Sequence, residues 1–154
     1  MRLEGKTAIV TGAARGLGQA YAKAMAAAGM NVVVADRDDV AQTLRLLGAA
    51  PAAGVRVDVA EFASVSAMAK LAADRFGRID VLVNNAALYG GLHGGRAEAI
   101  DEAEWDACMA VNVKGVWNCC RAAIPHMRAQ KDGSIVNVAS LAAVMGMLSL
   151  SQNQ

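Results

Sequence analysis

The chain has 154 residues, of which 55% are hydrophobic, and 15 basic side chains nearly balance 14 acidic ones. This length is sufficient for a substantial core, so we expect residues 1–154 to form one domain. The scattered charge, without a basic stripe or an aromatic platform, argues against a nucleic-acid partner. No apolar run reaches the roughly 18 residues of a membrane span, and the N-terminus enters the first strand too soon for a signal peptide. The three cysteines fit a reducing compartment, so we expect a cytoplasmic protein.

The predicted elements alternate between short strands and longer helices. The strands are Thr7–Thr11, Asn31–Asp36, Val55–Val57, Val81–Val83 and Ser134–Val138. The helices are Leu17–Ala28, Asp39–Leu47, Ala60–Phe76 and Asp101–Gln130, and the segments Gly48–Gly54 and Leu88–Ile100 are predicted loops. Repeated β-α units favour right-handed crossovers. The sequence therefore predicts an α/β fold, a doubly wound parallel sheet of Rossmann-like order 3-2-1-4-5 with helices on both faces.

The long predicted helix carries large apolar residues at helical spacing, which predict the face it turns to the core. They are Trp105, Met109, Val113, Val116, Cys120, Ile124 and Met127. Asn112 lies within this stripe, where a buried amide needs a partner. Pro125 is expected to bend the helix or to mark its last turn. The cysteines Cys108, Cys119 and Cys120 are interpreted as small core residues, and we predict no metal site.

A glycine-rich turn joins the first strand to the first helix. The stretch KTAIVTGAARGLG, residues 6–18, contains Gly12, Gly16 and Gly18. Glycines let the backbone approach an anion, and the helix N-terminus offers N–H groups and a positive dipole end. Because ordinary strand-to-helix turns also contain glycine, this turn predicts dinucleotide binding only together with other parts of such a site.

Asp36 at the end of the second strand supplies one such part. It lies where a Rossmann unit places the acid that binds the adenosine ribose hydroxyls. A carboxylate there accepts two O–H bonds from NAD and repels the extra phosphate of NADP, so NAD is favoured. Arg15 and Arg37 flank the site, and either could pair with a 2′-phosphate. The alternative for Asp36 is a solvated acid at a strand end.

With these features, the chain resembles the short-chain dehydrogenase/reductase family, in the subgroup whose turn reads T-G-x-x-x-G-x-G, here residues 11–18. Asp58–Val59 follows the third strand, and Asn84–Asn85–Ala86–Ala87 matches the family's N-N-A-G, with Ala87 in place of glycine. Asn112 and Ser140 match two members of the family's catalytic tetrad. These landmarks occur in the family's order and spread over residues 5–147.

The resemblance implies an NAD(P)-dependent oxidoreductase that moves a hydride between a nicotinamide and a small alcohol or ketone. It implies a cofactor site made of Gly12, Arg15, Gly16, Leu17, Gly18, Asp36, Asp58, Val59, Asn85 and Ala86. Ser140 would hydrogen-bond the substrate oxygen, and Asn112 would support a buried polar site. Asn84 is expected to tie neighbouring strands together. His93, in the glycine-rich loop, is interpreted as an ordinary loop histidine.

The sequence departs from the family at the catalytic tyrosine and lysine. Counting from Ser140, the tyrosine would fall at Asn153, and the lysine would lie beyond Gln154. Tyr21 and Tyr89 occupy other parts of the chain. Because family members usually have about 250 residues in one domain, we expect that this chain is truncated after the fifth strand.

Three hypotheses for function follow. The first is the NAD-dependent oxidoreductase. The second is a non-catalytic dinucleotide-binding fragment, which the missing tyrosine and lysine favour for the chain as it stands. The third is an interaction partner of a longer relative. An uncovered fifth strand and long helix would also invite self-association, as a homo-oligomer or as aggregates.

Overall fold

A computed structural model describes residues 3–90 and 96–140 of the chain. His93 and Asn153, which entered the interpretation above, lie outside these residues. Within the described ranges, no helix is long and apolar enough to cross a membrane.

The five strands form one parallel sheet in the order β3-β2-β1-β4-β5, as predicted. The strands are β1 Thr7–Thr11, β2 Asn31–Asp36, β3 Ala52–Arg56, β4 Val81–Asn84 and β5 Ser134–Asn137. The helices are α1 Gly16–Ala27, α2 Ala41–Leu47, α3 Phe62–Phe76, α4 Glu102–Met109 and α5 Gly115–Gln130. A 3-10 turn spans Ala97–Ala99, and a π-helical turn spans Ala110–Lys114.

Helices cover both faces of the sheet, because successive strand residues point to opposite sides. Ile9, Val33 and Leu82 pack with α3 and α5 on one face. Val10 and Val34, one residue away along their strands, pack with α1 and α2 on the other face. This confirms the doubly wound arrangement that the continuous apolar strands predict.

The third strand is longer than predicted, since β3 takes in the end of the segment predicted as a loop. Residues 52–56 pair in register with residues 32–36 of β2. A Cβ at Gly54 would lie 2.7 Å from Leu44 Cδ1 and 2.7 Å from Val40 Cγ2. The glycine of this strand therefore allows Val40 and Leu44 to pack closely against it, although by sequence propensity alone the segment is predicted as a turn.

The long helix is not uniform, and the face assigned to the core was largely wrong. Of the predicted stripe only Met127 is buried, whereas Trp105 and Val113 remain 55% and 54% exposed. The buried residues of α5 are mostly small, namely Gly115, Asn118, Cys119, Ala122, Ala123 and Met127. Small residues allow the helix to approach the sheet closely, so large-residue periodicity identifies the other face. Self-association through the exposed face remains a prediction.

The fifth strand follows its prediction, whereas Pro125 does not mark the last turn of its helix. Helix α5 continues past Pro125 to Gln130, so the proline lies inside the helix and does not end it. Among the described residues β5 pairs with β4 alone, and Val136 on it is 48% exposed. The predicted edge position of the fifth strand therefore holds for the described chain.

A buried carboxylate links the amino ends of the central strands. Asp80 is 2% exposed and accepts hydrogen bonds from Thr7 N at 2.8 Å and from Arg78 Nε at 2.7 Å. Lys6 Nζ lies 3.9 Å from Asp80 and 2.8 Å from Asp132, just before β5. Burial alone would raise the pKa of Asp80, but the hydrogen bonds from Arg78 and Thr7 and the positive charges of Arg78 and Lys6 outweigh it. Together they hold that pKa below its ordinary value.

We predict that Asp80→Asn lowers the free energy of unfolding by about 1–3 kcal/mol at pH 7, because it breaks charge-assisted bonds to a buried group. The folded-state pKa of Asp80 is depressed, so its contribution is complete above about pH 4 and is lost as the pH falls further. Urea unfolding of both proteins between pH 7 and pH 3 measures this.

The matched control is Asp74→Asn, which removes the same charge from an exposed pair with Lys70. Exposed pairs contribute little, so this variant should unfold like the wild type. Equal stability of Asp80→Asn and Asp74→Asn at pH 7 would contradict the role given to Asp80.

Candidate functional site

An open cleft of about 480 Å³ lies beyond the carboxyl ends of the strands. It is lined by Thr11, Gly12, Arg15, Gly16, Leu17, Ala35, Asp36, Arg37, Asp38, Val57, Asp58, Val59, Asn85, Ala86, Ala87, Leu88, Tyr89 and Val111. Nine of the ten residues predicted to bind the cofactor are in this set, all except Gly18. In open α/β sheets, ligands bind in this position.

The glycine turn and the end of β4 are joined by reciprocal hydrogen bonds. Thr11 Oγ1 accepts from Asn85 N and Ala86 N, both at 3.1 Å, and donates to Val83 O at 3.2 Å. Asn85 Nδ2 donates to Thr11 O at 3.0 Å and to Gly12 O at 3.1 Å. The side chain of Asn85 therefore supports the turn from below, in addition to lining the cleft.

Glycine occupies each of the three positions in the turn for a different physical reason. Gly12 has a positive φ of 64°, and a Cβ there would lie 2.7 Å from Ala86 Cα. A Cβ at Gly18 would collide with Gly12 O, so Gly18 permits close packing of α1 on the turn and does not line the cleft. Gly16 has a φ of 60° with nothing within 4 Å of its Cβ position, so it leaves the mouth of the cleft open.

Helix α1 presents its N-terminus to this opening. Its N-cap residue, Arg15, makes no capping side-chain hydrogen bond, and its first turn holds no acidic residue. The first-turn N–H groups of a helix lack intrahelical partners and carry the positive end of the dipole. The arrangement suits an anionic group such as a phosphate.

Asp36 is half-buried at the carboxyl end of β2, on the cleft wall. Its Oδ2 accepts from Ala14 N at 2.8 Å, and its Oδ1 accepts from Asp38 N at 3.0 Å. A carboxylate has about four acceptor sites, so two remain for a ligand with neighbouring hydroxyls. The backbone bonds hold the carboxylate in place before any ligand arrives.

The charges on the cleft wall are mixed. Acidic Asp36, Asp38 and Asp58 face basic Arg15 and Arg37. Arg15 Nη2 lies 3.7 Å from Asp38 Oδ2, so part of its charge is already balanced. The described lining thus carries three acidic and two basic residues.

Two residues that the sequence analysis did not single out hold the turn from the α2 side. Thr43 is fully buried, and its Oγ1 donates to Ala13 O at 2.8 Å or to Ala14 O at 3.1 Å. Gln19 Nε2 donates to Thr43 Oγ1 at 2.9 Å. The sequence could have indicated the role of Thr43, because a threonine on the buried face of an amphipathic helix needs a hydrogen-bond partner for its hydroxyl.

Asn112 lies in the π-helical turn and does not line the cleft. Its Oδ1 accepts from Leu88 N at 2.7 Å, and its Nδ2 donates to Leu88 O at 3.1 Å and to Cys108 Sγ at 3.3 Å. Asn112 therefore hydrogen-bonds both the backbone N–H and the backbone carbonyl of Leu88, which does line the cleft. This amide was predicted to need hydrogen-bond partners, and the backbone groups of Leu88 supply them.

Ser140 follows β5 and is exposed, outside the cleft lining among the described residues. Asn84 is buried, and its Nδ2 donates to Asn137 Oδ1 of β5 at 2.8 Å, as the strand-tying interpretation expects. The structure therefore gathers the cofactor residues around one cleft, but it does not bring Asn112 and Ser140 to that cleft's wall.

The three cysteines are free, and Cys119 is 1% exposed. Burial, with a smaller effect from Cys120, raises the pKa of the Cys119 thiol to about 12. Within the described ranges, no group of three or more His, Cys, Asp or Glu residues is placed to hold a metal ion.

A parallel sheet in this order, with a glycine turn after β1 and an acid after β2, defines a Rossmann-type α/β protein. The family model described as short chain dehydrogenase matches residues 6–152. The chain belongs to the short-chain dehydrogenase family.

Relatives in this family are oxidoreductases by name. Oxidoreductase UcpA of Salmonella typhimurium is 38% identical over 147 residues, covering 94% of this chain and 55% of the relative. The 2-(R)-hydroxypropyl-CoM dehydrogenase of Xanthobacter autotrophicus is 39% identical over 145 residues, covering 91% of this chain and 58% of the relative. The chain therefore spans little more than half the length of these relatives.

A solved structure supports the fold directly. A short-chain dehydrogenase/reductase from Burkholderia phymatum, in complex with NAD, superposes with a TM-score of 0.91 at 36% identity. The match covers 97% of this chain and 54% of that protein. Both the strand order and the helix arrangement described above are those of the family.

We predict that Asn112→Ala speeds amide hydrogen exchange at Leu88 about tenfold, because the variant removes both hydrogen bonds that hold this residue against the helix. Exchange followed by NMR at pH 7 measures it. The control is Val113→Ala, in the same π-helical turn but with an exposed side chain. If Leu88 exchanges equally slowly in Asn112→Ala and in wild type, Asn112 does not anchor this segment.

Proposed function

We propose that this chain binds NAD in the cleft and forms the cofactor-binding part of an oxidoreductase that acts on an alcohol or ketone. The observation that carries this proposal is the convergence of the Gly12–Gly16 turn, Asp36 and Asp58–Val59 on one cleft. Membership of the short-chain dehydrogenase family and the NAD complex of the Burkholderia phymatum relative support it.

The residues of the cleft fit a dinucleotide. Gly12 brings the turn within contact of Ala86, and Gly16 leaves open space at the start of α1. A pyrophosphate would bind at this helix N-terminus, the adenosine ribose at Asp36, and the adenine against Asp58 and Val59. The other half of the dinucleotide would lie toward Ala86 and Leu88, on the segment that Asn112 holds.

NAD, when bound, accepts or supplies a hydride. The chain's own residues bind and orient it. By resemblance to the family, Ser140 would donate a hydrogen bond to the substrate oxygen and stabilise the charge that develops there, although in the described structure it lies outside the cleft wall. Asn112 hydrogen-bonds both backbone groups of Leu88 and would therefore act as a positioning residue.

NAD is proposed over NADP because of Asp36. Its carboxylate has two acceptor sites left after its bonds to Ala14 N and Asp38 N, which matches two ribose hydroxyls. A 2′-phosphate would place a second anion against it. The pairing of Arg15 with Asp38 leaves less free positive charge for that phosphate.

A second candidate function is dinucleotide binding without turnover. One observation favours it: the position at which the family's catalytic tyrosine would fall is Asn153. An asparagine side chain has no titratable proton for general acid–base catalysis, which typically contributes about 10²–10⁴-fold to the rate. Turnover with a panel of secondary alcohols, measured beside NAD binding, separates the two candidates.

We predict that Gly16→Asp weakens NAD binding at least tenfold, or about 1.4 kcal/mol, because it places a carboxylate where the pyrophosphate would bind. The matched control is Gly16→Asn, which has the same shape without the charge, and both residues tolerate a positive φ. Calorimetric titration with NAD measures both variants. Equal affinity of the two would contradict phosphate binding at this helix N-terminus.

A further inference from the structure

Helix α5 contacts the cleft wall through an asparagine that has no part in the family resemblance above. Asn118 is fully buried, 0% exposed, on the face of α5 toward the sheet. Its Nδ2 donates to Val59 O at 2.9 Å and to Ala60 O at 3.2 Å. The amide nitrogen therefore donates both of its hydrogens to the turn that follows β3.

One turn earlier on the same helix, Gly115 lies against the same residue. A Cβ at Gly115 would lie 2.7 Å from Val59 Cγ2 and 3.1 Å from Val59 Cβ. Gly115 therefore permits the close approach, and Asn118 fixes its register by hydrogen bonds. Val59, held between them, is 7% exposed and lines the cleft.

The rest of this turn is held locally. Ala60 N donates to Asp58 Oδ1 at 2.9 Å, Glu61 N to Asp58 O at 3.2 Å, and Asp58 N to Ser64 Oγ at 3.1 Å. These bonds shape the turn but do not fix its distance from the sheet. Val57 N donates to Asp36 O at 2.7 Å and ties the start of the turn to the sheet, and the amide of Asn118 ties Val59 and Ala60 to α5.

The amide of Asn118 also carries an energetic cost. Its Oδ1 is buried without a hydrogen-bond partner within the described chain, which is unfavourable. A leucine of similar size would avoid that cost. What the asparagine adds is the pair of donated bonds to Val59 and Ala60.

We infer that Asn118, with Gly115, is a positioning residue that sets the affinity for the adenosine half of the cofactor by holding Val59 in the cleft wall. This inference rests on the proposed function, because it takes that half to bind against Asp58 and Val59. Asn118 acts through Val59 and does not line the cleft itself.

The test uses AMP, which carries the adenosine half alone. In the full chain, Asn118→Leu should weaken binding of AMP and of NAD to a similar degree, about tenfold, as measured by NMR titration. Hydrogen exchange at the Leu88 amide, on the opposite wall, should stay as in the wild type. The control is Asn31→Ala, which removes two side-chain hydrogen bonds at the amino end of β2, away from the cleft at the carboxyl ends of the strands. It should leave AMP affinity unchanged.

Gly115→Ala is the second variant, in case Asn118→Leu does not fold, and it should weaken AMP binding by displacing Val59. Unchanged AMP affinity in either folded variant would overturn the inference. So would faster exchange at Leu88 together with weaker AMP binding, because that pattern indicates a general loss of structure. If the wild-type chain binds neither AMP nor NAD, the proposed function itself fails. If the wild type binds AMP and the variants bind it equally well, only this inference fails.

Discussion

The structure depends on the close contact between the turn after β1 and the end of β4. Thr11 and Asn85 exchange hydrogen bonds across it, and Gly12 allows Ala86 to approach to a distance that a Cβ would prevent. This contact joins two neighbouring strands at their carboxyl ends and leaves Gly16 facing open space. The backbone is therefore packed closely at Gly12 and Ala86, at the floor of the cleft, whereas the space at Gly16, at its mouth, stays open.

The walls of the cleft are each held by a polar side chain from a more distant element, buried for Thr43 and Asn118 and half-buried for Asn112. Thr43 of α2 holds the carbonyls of the glycine turn, Asn112 holds Leu88, and Asn118 holds Val59. Each group makes hydrogen bonds to backbone, whose position is then fixed relative to the sheet. A site built in this way is formed before the ligand arrives, which lowers the cost of binding.

Local patterns in the sequence predicted the fold, the glycine turn and Asp36, whereas Asp58, Val59, Asn85 and Ala86 were predicted from the family resemblance. Apolar runs identify strands, glycine spacing identifies the turn, and Asp36 follows from its position after β2. The buried face of α5 could not be predicted in this way. It is made of small residues such as Gly115 and Ala122, and its contact with Val59 joins residues far apart in sequence. The role of Asn118 was missed for the same reason, while the partner of Asn112 could be expected but not identified.

We proposed that Asp36 makes this cleft a site for NAD in preference to NADP. The most direct measurement is calorimetric titration of the wild-type chain, Asp36→Asn and Asp39→Asn with both nucleotides. Asp39 lies outside the cleft lining and loses the same charge, so it is the matched control. We expect the wild type and Asp39→Asn to prefer NAD, and Asp36→Asn to lose about tenfold of that preference, or about 1.4 kcal/mol. An equal preference in all three proteins, or no binding of either nucleotide to the wild type, would contradict the account.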